Sequence, residues 1–126
     1  MSTASNPVGW FEIPVSDMAR AMTFYEHVFG LKLALQDMGP LQMAWFPMKP
    51  GGHGAAGTLV KSPAYTPSHA GTLVYFTAAD IDATLQRVTE RGGKVLRART
   101  SIGDYGFVGH FEDSEGNRVA LHSPPG

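Results

Sequence analysis

The feature that most constrains this chain is an internal repeat. An offset of 63, half of the 126 residues, aligns two halves without a gap. Asp17 falls on Asp80 and Gly30 on Gly93, so each half reads as a strand, an aspartate helix cap, an amphipathic helix and a glycine stop. In the first half Met18, Ala21, Met22, Tyr25, Val28 and Phe29 recur at helical spacing, and in the second Ile81, Leu85 and Val88 do the same. Each helix therefore carries one apolar stripe, which needs a sheet to cover it.

Three strand candidates follow each helix: about 31–36, 42–49 and 55–61, then about 94–100, 107–113 and 118–123. The last two in each half read as hairpins, closed by the turn-forming runs Pro50 to Gly54 and Asp113 to Asn117. The halves, 8–60 and 71–123, are joined by a proline-containing linker, 61–70, and together form one expected domain, 8–123. Because alternate strand residues point to opposite sides, Phe11, Ile13, Val74, Phe76, Val119 and Leu121 are expected beneath the helices. The opposite face carries Trp10, Glu12, Leu73, Tyr75, Thr77, Val108, His110, Glu112, Arg118, Ala120 and His122. That mixture of apolar walls and a few polar groups suits a ligand cleft, and equally a half-exposed sheet with a polar solvent face.

Composition narrows the function classes. Without cysteine there is no disulfide framework, no thiolate metal site and no cysteine nucleophile. A net charge of −1 offers no electrostatic pull on phosphate backbones or acidic lipids, and Arg91, Lys94, Arg97 and Arg99 read as a solvated edge. Neither nucleic acid nor membrane is an expected partner. Met1 to Pro7 is polar, with neither a basic start nor an apolar run, so a cytoplasmic protein is the expectation.

The run Phe11-Glu12-Ile13-Pro14-Val15-Ser16-Asp17 leads to Phe24-Tyr25 and Phe29-Gly30, and Phe111-Glu112-Asp113-Ser114-Glu115-Gly116-Asn117-Arg118 lies near the end. Over about residues 8–123 this pattern resembles the vicinal-oxygen-chelate superfamily, which includes glyoxalases, bleomycin-resistance proteins and extradiol dioxygenases. The resemblance implies an α+β fold of two βαβββ modules, with a cupped mixed sheet, helices on the outer face, and a homodimer. It also implies a divalent metal held by one residue from the first and last strand of each module. Counting from the Asp cap and from the Asp113 turn puts those positions at Trp10, Leu73, Ala120 and, by the repeat offset, Gly57. None is a metal donor, so the resemblance carries over the fold and cleft but not the metal-dependent reactions.

Trp10, Glu12, Tyr75, His110 and His122 are the expected ligand-binding residues for a small organic molecule, with no metal and no cofactor. An alternative is a lyase- or isomerase-like enzyme using His110, His122 or Glu12 as acid or base, with or without a displaced divalent metal on those three. A third reading is a dimer that binds nothing and serves structure or interaction. His53 and His69 read as surface histidines and His27 as lying on the polar side of the first helix. Gly51 to Gly54 lacks the helix and lysine of a phosphate loop, no nucleophile elbow is present, and Gly103, Gly106 and Gly109 suit either a flap over the cleft or a plain irregular connection.

Overall fold

The computed structural model describes residues 6–126. Its elements in chain order are β1 (Trp10–Pro14), α1 (Met18–Phe29), β2 (Ala34–Met38), β3 (Leu41–Trp45), β4 (Ala56–Lys61), β5 (Tyr75–Thr77), α2 (Ile81–Glu90), β6 (Lys94–Ser101), β7 (Phe107–Glu112) and β8 (Arg118–Ser123). Both helices start as their caps dictate: the Asp17 side chain accepts from the Arg20 amide and the Asp80 side chain from the Ala83 amide, each at 3.0 Å. The result is an α+β fold of two βαβββ modules.

The first sheet has the order β1-β4-β3-β2 and the second β5-β8-β7-β6, each with one parallel pair and two antiparallel ones. β1 and β5 are therefore edge strands, each hydrogen-bonded on one side. The helices lie against one face of the sheets and touch each other. There His27 Nε2 meets Glu90 Oε1 at 2.8 Å, and Arg87 Nε donates to the Val28 carbonyl at the end of α1.

Two strand boundaries differ from the sequence reading, for local reasons. β2 begins at Ala34 because the amides of Leu31 and Leu33 turn back to Glu26, to its carbonyl and its carboxylate respectively. β3 ends at Trp45 because Phe46 makes the last bond, to the Gly57 carbonyl, and Pro47 has no N–H to continue. The repeat also drifts. Tyr75 lies 63 positions after Glu12, but their cross-strand partners Ala120 and Thr58 are 62 apart. The slip enters at the helix ends, where the left-handed residues are Gly30 and Gly92 rather than Gly93.

Ile13, Val15, Phe24, Tyr25, Val28, Leu59, Phe111, Val119 and Leu121 form part of one continuous core, with Phe11 and Phe76 half-buried against it. Val74, expected with them, precedes β5 and faces a small cavity at the seam between the modules. An aromatic cluster bridges the modules: Phe76 stacks on Phe29 at 4.5 Å between centroids and meets Phe11 edge-on at 5.6 Å.

The Asp113 to Asn117 turn locks the opposite end of the seam. Asp113, 2% exposed, accepts from the Tyr25 hydroxyl at 2.6 Å, from the amides of Glu115 and Asn117, and from the Asn117 side chain. Asn117 also donates to the Pro14 carbonyl, and Glu115 accepts from the Ser16 and Asp17 amides and from Arg20. Burial, reinforced by the Asp113 charge, holds the Tyr25 phenol well above its ordinary pKa, so it remains a donor at any working pH.

Candidate functional site

Because β1 and β5 do not pair, a groove of about 970 Å³ opens between them. Phe11, Phe29, Phe46 and Phe76 from the core layer line it, together with Trp10 and Glu12 from β1 and Tyr75 and Thr77 from β5. Three of the five expected ligand-binding residues, Trp10, Glu12 and Tyr75, thus reach one concavity. An apolar floor with a carboxylate and hydroxyls at its walls can bury a flat organic body while orienting its polar edge.

Trp10 does not stand alone. Its ring meets Trp45 at 5.1 Å in an edge-to-face arrangement, and register sets Trp45 directly across from Thr58 on the same sheet face. Trp45 does not itself line the groove and reaches the site only through Trp10.

His110 does not line the groove; it meets the Tyr75 hydroxyl across β8, on the side of β5 away from β1. It is 8% exposed, with Arg118 Nε 3.1 Å from its Nδ1 and the Tyr75 hydroxyl 3.3 Å from its Nε2. Burial, with the neighbouring Arg118 and Arg97 charges, lowers its pKa from the usual value of 6.5. Both ring nitrogens are engaged. His122 lies elsewhere: it pairs with Thr77 across β5 and β8, and its Nε2 meets the Tyr105 carbonyl at 2.7 Å. That contact ties down the Gly103–Tyr105 turn, the segment that reads from sequence as a flap.

Among the described residues, no three His, Asp or Glu side chains gather where they could hold a metal, so Glu12, His110 and His122 do not form a displaced site. The family's own metal positions fare no better. Gly57, assigned by the repeat offset, is corrected by the structure: it pairs with Phe11 on the helix side, where a Cβ would stand 2.3 Å from the Phe11 carbonyl oxygen. The drift in the repeat makes Thr58 the mate of Ala120. Trp10, Leu73 and Ala120 offer no donor side chain, and the Thr58 hydroxyl, fully buried and without a hydrogen-bond partner among the described residues, is a poor lone ligand. These residues do not fit a divalent cation.

Two surface histidines have neighbours that sequence did not show. His53 lines the groove, and His69 Nε2 lies 2.8 Å from Glu112 Oε1. Glu12 makes no ion pair with Arg118 among the described residues, although both border the seam cavity of about 200 Å³. No helix among the described residues is long and apolar enough to cross a membrane.

Comparison with known proteins gives this geometry a context. The family model described as Glyoxalase/Bleomycin resistance protein/Dioxygenase superfamily matches residues 8–121. A glyoxylase-like domain-containing protein from Didymella fabae is 32% identical over 123 residues, covering 94% of each chain. Among solved structures, TnmS3, an antibiotic binding protein from Streptomyces sp. CB03234, is 28% identical with a TM-score of 0.67, covering 98% of this chain and 99% of its own. A glyoxalase I mutant from Zea mays superposes with a TM-score of 0.71 at 24% identity; this chain spans about half of it, 46%, so that likeness speaks for the fold alone. With the matched segment running from before β1 to within β8, and the Asp113 turn clamping the two modules, the chain belongs to the glyoxalase/bleomycin-resistance/dioxygenase superfamily.

Proposed function

We propose that this protein binds a small organic molecule in the groove between β1 and β5, without using the metal on which the superfamily's metal-dependent enzymes rely. The observation that carries the reading is the meeting of Trp10, Glu12 and Tyr75 at one aromatic-floored groove, while the family's metal positions hold no suitable donor set. The likeness to an antibiotic binding protein over nearly the whole of both chains supports it. The ligand's flat apolar part rests against Trp10 and the phenylalanine floor, and Glu12 and Tyr75 orient its polar edge. His110 supports Tyr75 from behind, and His122 acts indirectly by fixing the Gly103–Tyr105 turn.

The chain's two tryptophans, Trp10 and Trp45, sit together at this place, so intrinsic fluorescence reports occupancy directly. Titration with a panel of naphthalene- and indole-based probes is expected to change that emission saturably. Trp10→Ala should weaken binding about tenfold, while Gln86→Ala on the exposed side of α2 should not. His53 is unsuitable as a control because it lines the groove. Saturable binding untouched by Trp10→Ala, Glu12→Gln and Tyr75→Phe would refute the assignment. The same reading takes residues 8–123 as one cytoplasmic domain acting as a homodimer; a single monomeric boundary in sedimentation at micromolar concentration would remove the dimer.

A further inference from the structure

The groove between β1 and β5 carries a charge that nothing balances. Among the described residues that line it, Glu12 is the one carboxylate and none is a lysine or an arginine. Apart from His53, every other lining side chain is neutral, and six of them are phenyl, phenol or indole rings: Trp10, Phe11, Phe29, Phe46, Tyr75 and Phe76. Glu12 is exposed and belongs to no ion pair among the described residues. Arg118 borders the neighbouring seam cavity together with Glu12, but it does not line the groove, and its Nε is given to His110. The groove is therefore rich in rings and negative, with its carboxylate free.

We propose that the groove selects organic cations, taking an alkylated ammonium beside Glu12 and Trp10 and a flat apolar body on the phenylalanine floor. This rests on the binding reading above and adds the ligand's charge. A cation placed there gains the attraction of Glu12 without displacing an existing partner. The faces of aromatic rings are negative and attract cations in the same sense, and tryptophan does so best. An alkylated ammonium fits better than a bare one, because it sheds little hydration and its methyl groups bury against the rings. A neutral ligand gains only the apolar burial. An anion meets the repulsion of Glu12 with no lysine or arginine in the lining to offset it. Because Glu12 is exposed, water screens its field and holds the gain to a modest factor.

Two probes of one shape test this by equilibrium dialysis: trimethyl(2-naphthyl)ammonium and 2-tert-butylnaphthalene, which differ in a charged nitrogen against a neutral carbon. At low salt the wild-type protein should bind the cation roughly three- to tenfold more tightly. The anion 2-naphthoate should bind less tightly than the cation. Glu12→Gln, a change of charge at nearly constant shape on an exposed side chain, should bring the cation and its neutral counterpart within about twofold of each other. A second arm needs no variant. Raising the salt from about 20 mM to about 500 mM should shrink the wild-type preference and leave the neutral probe's affinity without a matching loss. Equal affinities for the two probes, or tighter binding of 2-naphthoate than of the cation, with binding still sensitive to Trp10→Ala, would overturn the charge selection and keep the binding reading. A cation preference that survives both Glu12→Gln and high salt would overturn it as well. Failure of all three probes to bind would sink both readings.

Discussion

His27 and Glu90 occupy the same position in the two modules, 63 residues apart, and they hydrogen-bond to each other at 2.8 Å. A repeat that bonds to its own copy marks the place where the two helices cross. The pair is partly exposed, at 30% and 47% of side-chain area, so its contribution is small whatever its geometry. Replacing either residue with alanine should cost less than about 1 kcal/mol in a denaturant titration. A larger loss would mean that the helix crossing, not the clamp at the Asp113 turn, carries the module contact.

That clamp is expected to matter far more. Tyr25→Phe leaves the Asp113 carboxylate short of a buried partner and should destabilise the protein by about 1–3 kcal/mol. Asn117→Ala removes bonds to Asp113 and to the Pro14 carbonyl and should cost a similar amount. Urea unfolding of both variants checks this; values near zero would show that the turn is not what joins the modules.

Neighbouring positions in β4 should respond in opposite ways. Gly57→Ala drives a methyl group into the Phe11 carbonyl and ring and should destabilise the fold by more than about 1 kcal/mol. Thr58→Val removes a fully buried hydroxyl with no partner and should be neutral or stabilising. A destabilised Thr58→Val would reveal a partner for that hydroxyl, such as a bound water.

Stability should fall on acidification in two windows. The His110 pKa is lowered in the folded state, so the unfolded chain takes up the proton first. Its contribution is complete above the unfolded value near 6.5 and is lost as pH falls from there through the folded value. Glu115 follows at lower pH. Burial pushes its carboxyl up, but the bonds from Arg20 and from the Asp17, Ser16 and Ser114 donors outweigh burial and hold it below its usual value of 4.5. Its contribution is present above the unfolded value and lost as pH falls through the folded one. In melting curves across pH, His110→Gln should flatten the first decline and Glu115→Gln the second. Unchanged declines would place the acid sensitivity elsewhere.

Chelation gives a simpler expectation. Protein dialysed against EDTA should melt at the same temperature as protein supplied with zinc or magnesium, since no donor set among the described residues draws either ion into the fold. A rise of several degrees on adding one equivalent of metal would contradict this.

Much of the molecule was legible from sequence because short-range rules govern it. Aspartate caps, helical stripes and strand alternation act over a few residues, and they located both helices and put Trp10, Glu12 and Tyr75 on one face. Where a reading had to carry across a gap, it weakened. The one-residue slip at Gly92 moved the expected metal position from Thr58 to Gly57, and with it from the open face to the helix side. His110 and His122 share a face with Tyr75, as parity states, but parity is silent on distance along a strand. One sits behind Tyr75 and the other is bound to Tyr105. The clamp joining Asp113 to Tyr25, 88 residues apart, had no sequence signal beyond the turn motif itself.

The missing ladder between β1 and β5 has a consequence for how this scaffold diverges. Backbone pairing would fix the separation of the two strands at about 4.8 Å and close the groove. Here the spacing is set by Phe11, Phe29 and Phe76, whose rings wedge between the modules from the core side. Trimming or enlarging one of those rings widens or narrows the mouth while the polar wall residues keep their identities. On the binding reading proposed above, groove width and wall chemistry belong to separate sets of residues, so each is free to change without the other.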